Sequence, residues 1–172
     1  MAGTKMTYLI CYDDHRNFTE DVRKRFSDDT RYNVTSFITR QEFLNQCKKE
    51  IDKKSCKVAI IGVPDAVEQF EMIEKLTMEV KKIDPRTGLI LLVPGEKIDA
   101  LKKIVKFNID SYIPRNANTI LRIHNTVKKF ISENNIIIYR KRRNFSLYVL
   151  LAFLLATALV IIIAFFRYPE YF

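Results

Sequence analysis

Three carboxylates hold the chain's clearest potential for chemistry. Asp13 and Asp14 are adjacent, and Asp65 is a third. Two neighbouring carboxylates with a third brought close can hold a divalent cation, and a cation so held assists phosphoryl transfer. The other reactive types are sparse. His15 and His124 are too few and too scattered for a metal site with cysteine ligands. Cys11, Cys47 and Cys56 are unevenly spaced, form no CxxC, and fit free thiols in a reducing compartment. Cys11 lies in an apolar run and reads as a core residue. Glycine is scarce, and no G-x-x-x-x-G-K phosphate loop is present.

The elements that would position these carboxylates can be read along the chain. Met6–Tyr12 is a short apolar run and reads as a buried strand. Phe18, Val22 and Phe26 recur at helical spacing across Arg16–Ser27. Tyr32–Ile38 is β-branched and aromatic, hence a strand. Thr39 and Glu42 predict a capping box opening a helix through Phe43, Leu44 and Cys47. Lys48–Lys54 is charged and solvated. Lys57–Val63 is another buried strand. Pro64-Asp65 opens a helix carrying Phe70, Ile73, Leu76 and Val80. Leu89–Val93 is a strand, followed by a helix with Ile98, Leu101, Ile104 and Val105. Ser111–Ile113 is a short last strand, and Asn118–Ile131 a last helix.

Five strands alternate with five helices, and the strands are continuously apolar. That pattern belongs to strands covered on both faces. It predicts an α/β fold: a flavodoxin-like, doubly wound, five-stranded parallel sheet in the order 2-1-3-4-5. In such a sheet the functional crevice lies at the carboxyl ends of the strands. Asp13-Asp14 follows strand one, Gly62 ends strand three, Val93 ends strand four, and Pro114-Arg115 follows strand five.

These ordered features resemble the receiver domains of two-component response regulators, from Met6 to about Ile131. The acidic pair follows the first strand, with Phe18 and Val22 at the family's apolar positions in the first helix. Ile83-Asp84-Pro85 precedes the fourth strand. Phe107-Asn108-Ile109-Asp110-Ser111-Tyr112-Ile113 is similar to the family's Gly-Ala-Asp-Asp-Tyr-Leu stretch. In a working receiver the acidic pair binds Mg²⁺ and an aspartate ending the third strand accepts a phosphoryl group. A Ser or Thr ending the fourth strand and a Lys after the fifth then contact it. The resemblance therefore implies a degenerate pocket made of Asp13, Asp14, Gly62, Val93 and Arg115. Gly62 offers no nucleophile. Val93 cannot hydrogen-bond a phosphoryl oxygen. Arg115 keeps the charge of the lysine but presents a planar fork, and Asn116 stands where the family has proline. Asp65 reads either as a helix N-cap or as a displaced acceptor. Asp13 and Asp14 read as a relic pair, with a bridge to Arg115 one option and weak metal binding another.

Phe145–Phe166 is a run of 22 residues without a charge. At about 1.5 Å per residue it crosses the ~30 Å hydrocarbon core of a bilayer as a helix. Arg140, Lys141, Arg142 and Arg143 precede it and one arginine follows, which orients the helix with the preceding residues in the cytoplasm. The net charge of +9 would ordinarily suggest nucleic acid. Part of that excess is the juxtamembrane cluster, which reads as contact with lipid headgroups, so no nucleic-acid partner is expected. Ile120, Ile123, Val127, Phe130, Asn134, Ile137 and Lys141 follow a 3-4 spacing, a short seam in form, although Ile120 to Phe130 is more simply the face packed on the sheet. Ser132–Asn135 reads equally as a hinge. Ala152 and Ala156 form one small-xxx-small pair, so a homodimer is possible.

The expected organisation is a receiver-like α/β domain over 1–131, a basic connector over 132–144, a transmembrane helix over 145–166 and a short tail over 167–172. The expected protein is a single-pass membrane protein with its domain in the cytoplasm. It would be a non-phosphorylated pseudo-receiver serving as a signalling or scaffolding module, neither an enzyme nor dependent on a cofactor or metal. Its partners would be the lipid bilayer and other membrane or cytoplasmic proteins. By the resemblance, Lys102, Lys106, Arg122 and Lys129 mark a partner face. The alternatives are a structural subunit capping a larger membrane complex and, more remotely, a Mg²⁺-dependent phosphoryl-transfer enzyme using Asp13, Asp14 and Asp65.

Overall fold

A computed structural model of the chain describes residues 6–13, 16–27, 30–49, 55–64, 66, 70–104 and 109–167. Five strands, β1 (Thr7–Tyr12), β2 (Tyr32–Phe37), β3 (Cys56–Gly62), β4 (Gly88–Val93) and β5 (Ser111–Pro114), form one parallel sheet in the order β2-β1-β3-β4-β5. The helices between them are α1 (Arg16–Ser27), α2 (Arg40–Lys48), α3 (Phe70–Ile83) and α4 (Ile98–Ile104), and α5 (Thr119–Arg167) follows β5. This is the doubly wound architecture that the alternation of apolar runs and amphipathic helices predicts.

The continuous apolarity of the strands has a direct cause. Successive side chains leave a strand on opposite faces. In β3, Val58 and Ile60 join Leu9, Cys11, Ile90, Leu92 and Ile113 on one face, packed by Val22 and Phe26 of α1 and Ile123, Val127 and Phe130 of α5. Ala59 and Ile61 join Ile10, Leu89, Leu91 and Val93 on the other, under Phe43 of α2, Phe70, Ile73, Leu76 and Val80 of α3 and Leu101 of α4. Burying each such aliphatic side chain is worth roughly 1.5–3 kcal/mol. Gly88 opens β4 because the Phe130 ring lies against it: a Cβ there would come within 2.5 Å of the ring.

Ionic staples hold the amino-terminal rim of the sheet. The Lys57 ammonium donates to the Cys47 and Lys49 carbonyls at 2.9 and 3.0 Å, tying the end of α2 to β3. Lys81 donates to the Thr87 carbonyl and to Asp110 Oδ2, and that same oxygen accepts from Leu89 N–H at 2.8 Å.

Several local expectations need correction. Thr39 is the N-cap of α2, but its hydroxyl donates to the Glu42 carboxylate at 2.7 Å and caps no backbone N–H. The helix expected from Pro64 begins at Phe70, and Pro64 and Ala66 are not helical. A proline disfavours helix in the residue before it, and Val63 still donates to the Leu92 carbonyl, which keeps this backbone on the sheet. α5 spans Thr119–Arg167, past the end expected at Ile131. Residues 132–135 contain neither Gly nor Pro to stop a helix.

The chain forms two units, Met1–Ser132 and Glu133–Phe172. In the second, residues 133–167 are helical. One helix among the described residues is long and apolar enough to cross a membrane. It holds a window of 18 residues with mean hydropathy 2.8, none of it buried.

Candidate functional site

The strand order reverses at β1: its successor β2 lies on one side and β3 on the other. The crevice at the carboxyl ends of β1 and β3 is the place where an open α/β sheet binds ligands. Asp13 leaves β1 on one side of it and Gly62 ends β3 on the other. Arg115 enters from the turn after β5, its backbone N–H donating to the Val93 carbonyl at 2.9 Å.

These three residues meet. Arg115 Nη2 donates to Asp13 Oδ2 at 2.7 Å, with the Asp13 side chain 1% exposed and that of Arg115 23%. The guanidinium also lies over the Phe18 ring of α1, 5.9 Å from its centre. The pair occupies the space directly above Gly62. A Cβ built on Gly62 would collide with Asp13 Oδ2 and come within 2.5 Å of Arg115 Nη2. A methyl group at Gly62 would therefore force the end of the Asp13 or Arg115 side chain to shift. Glycine lets these two side chains approach the strand end this closely.

The turn carrying Arg115 is itself fastened. The Thr119 hydroxyl lies 2.9 Å from the Pro114 carbonyl and 2.6 Å from that of Asn116, and accepts from Asn116 N–H at 2.7 Å. Asn116 Oδ1 accepts from Asn118 N–H. Thr119 and Phe18 therefore position Arg115. The Asn-Ala-Asn-Thr run was the available signal for such a turn, because Asn and Thr side chains bond nearby backbone.

Val93 is not in the crevice. Its side chain is fully buried in the core on the α3–α4 side of the sheet, so nothing polar ends β4. Asp14, Asp65, His15 and Lys106 lie outside the described residues. Among the described residues no three His, Cys, Asp or Glu gather into a metal-binding group. The described residues do not by themselves fit a receiver's Mg²⁺. Asp13 Oδ2 is already bonded to a guanidinium whose charge would repel a cation, and Gly62 supplies no carboxylate.

Of the other assigned residues, Lys102, Arg122 and Lys129 are exposed. Lys102 lies over the Tyr112 ring, its ammonium 5.8 Å from the centre, and burial raises the Tyr112 phenol above its ordinary value. Arg140–Arg143 are exposed on α5. The thiols are unreactive by environment: burial pushes Cys11 up to about 12 and Cys47 and Cys56 to about 11.

Neither a protein-family model nor a curated protein sequence matches the chain. Solved structures do. A response regulator receiver domain protein from Clostridium thermocellum superposes with a TM-score of 0.59 at 17% identity, covering 77% of this chain and 98% of that one. An adenylate cyclase from Rhodopirellula baltica gives 0.60 at 14% identity, over 80% and 96%. A member of a family of streptococcal redox sensors evolved from two-component response regulators gives 0.61 at 14%, over 78% of this chain but only 55% of the other. So broad a set of names on one scaffold separates fold from function. What the likeness establishes is architecture: this chain has the fold of a response-regulator receiver domain.

Proposed function

We propose that the protein is a membrane-tethered pseudo-receiver that signals or scaffolds through protein contacts, without phosphoryl transfer. One observation carries the reading: the Asp13–Arg115 pair fills the space above Gly62, where an acceptor would stand. Phosphoryl chemistry needs an acceptor carboxylate, a bound cation and an open pocket. Here the first is glycine, and one ligand of the second is spent on an internal ion pair that also closes the third. The helix holding residues 145–163 supplies the tether, because exposed Leu, Ile, Val and Phe over that length demand a nonaqueous surrounding. Tethering raises effective concentration toward other membrane proteins. The adenylate cyclase and redox-sensor names stay with those neighbours. The three buried thiols, all held protonated, give no support to redox sensing here.

The partner face proposed is the surface bearing Lys102, Arg122 and Lys129, with Lys106 beside it in sequence. The test is crosslinking in sealed membranes followed by purification of the full-length protein, with and without phosphodonor and Mg²⁺. The expected result is the same crosslinked protein under both conditions, reduced when Arg122 and Lys129 are changed to Glu. A partner that appears only after phosphodonor treatment would contradict the proposal. Protease added outside sealed cells should leave the α/β domain intact; its digestion would reverse the proposed orientation.

A further inference from the structure

We infer that Arg140, Lys141, Arg142 and Arg143 form a cationic collar that selects anionic phospholipid headgroups around the whole circumference of the helix. The inference rests on the membrane-anchor reading and adds to it the class of lipid recognised. Consecutive residues of an α-helix leave the axis about 100° apart. Four in a row therefore point in four directions that together close the circle. All four are exposed, and all lie within the unbroken helix α5. From Asn134 to Arg167 the sequence contains no Asp or Glu, so no carboxylate on this stretch of helix neutralises them.

The geometry decides between ligands. A nucleic acid or an acidic protein lies along one side of a helix and would meet two of these cations, leaving the others facing water. A headgroup layer pierced by the helix surrounds it and meets all four. The depth is also right. Asn144 alone separates the collar from Phe145, the first residue of the uncharged run. At ~1.5 Å per residue the middle of the collar stands about 5 Å outside that run, which is headgroup level. Tyr139 and Tyr148 bracket it, 61% and 74% exposed, as aromatic side chains do at a membrane interface. The aliphatic stems of arginine and lysine can lie along the apolar edge while their charged ends reach phosphate.

The test uses full-length protein reconstituted in phosphatidylcholine vesicles with a minor share of phosphatidylserine. Electron paramagnetic resonance of spin-labelled lipids reads which lipid is held at the protein surface. The wild type should retain the serine lipid several-fold over the choline lipid, and added salt should erode that preference because the cations are exposed. Each single change to Gln should remove a similar share, and the quadruple change should bring the ratio near one. A wild-type ratio near one in inserted protein overturns the collar and leaves the anchor standing. Loss concentrated at one or two adjacent positions overturns the encircling geometry. Retention of a DNA duplex by the vesicles that disappears in the quadruple variant, with lipid preference unchanged, assigns the cations to nucleic acid instead. Alkaline carbonate extraction separates the two levels: wild type and variant should both stay in the membrane fraction, and release of both overturns the anchor and the collar with it.

Discussion

The two rims of the sheet carry ion pairs of the same length and opposite consequence. At the amino-terminal rim, Lys81 meets Asp110 at 2.7 Å; at the carboxyl rim, Arg115 meets Asp13 at 2.7 Å. The first pair is partly open, with Asp110 37% exposed, and its atoms also satisfy the Thr87 carbonyl and the Leu89 N–H. It staples two strand ends. The second pair is closed, with the Asp13 side chain 1% exposed, and it covers Gly62. Distance alone does not separate a staple from a plug. What differs is burial and what lies underneath: backbone that needs a partner at one rim, the crevice at the ends of β1 and β3 at the other.

The largest expected effect follows from that difference. Arg115→Ala removes a charge-assisted hydrogen bond from a buried carboxylate and should cost about 3 kcal/mol. Lys81→Ala removes a screened pair and one hydrogen bond, and should cost about 1 kcal/mol. Urea melts of the piece ending at Ser132, which should be soluble and melt in one transition, give both numbers. Equal losses would erase the contrast between the rims.

Next in size is Gly62→Ala. Its methyl group must displace Asp13 or Arg115, for a loss of roughly 1–3 kcal/mol. The loss should shrink in an Arg115→Ala background, where the guanidinium no longer crowds the space above Gly62. A double-mutant cycle with coupling on the order of 1 kcal/mol is the expected result. Additive losses would mean that the pair does not occupy the space above Gly62.

The smallest effect concerns pH. His124 on α5 packs 5.6 Å from the Phe26 ring with its Nδ1 buried and unbonded. Burial, then Lys128 and Arg25, lower its pKa from the ordinary 6.5. The unfolded chain therefore binds this proton more readily, so stability is undiminished above that value and falls as pH drops below about 6.5. His124→Gln should flatten the slope of stability against pH in that window while leaving both rims unchanged.

The architecture was legible because buried parallel strands must be apolar on both faces. The runs at Leu9–Cys11, Val58–Ile61 and Leu89–Val93 are nearly free of polar residues for that reason. Helix ends were less legible: Pro64 suggested a start that came at Phe70, and Ile131 an end beyond which α5 continues to Arg167. At the site, the proposed loss of an acceptor and change of cation rest on Gly62 and Arg115 standing where the resemblance to receivers puts those groups. The plug itself was not readable beyond a conceivable bridge. Asp13 and Arg115 are 102 positions apart, and whether their charged groups lie over Gly62 depends on the turn that Thr119 holds and on the Phe18 ring. Such a distance is set by packing, not by residue types.

The central claim is that this pocket has lost phosphoryl chemistry because an internal ion pair stands where the acceptor would be. Intact-mass measurement of the protein after incubation with acetyl phosphate and Mg²⁺ tests it directly. The account predicts no added phosphoryl mass. A stoichiometric adduct, above all one lost in Asp65→Asn, would show that the acceptor has moved along the chain and would contradict the account.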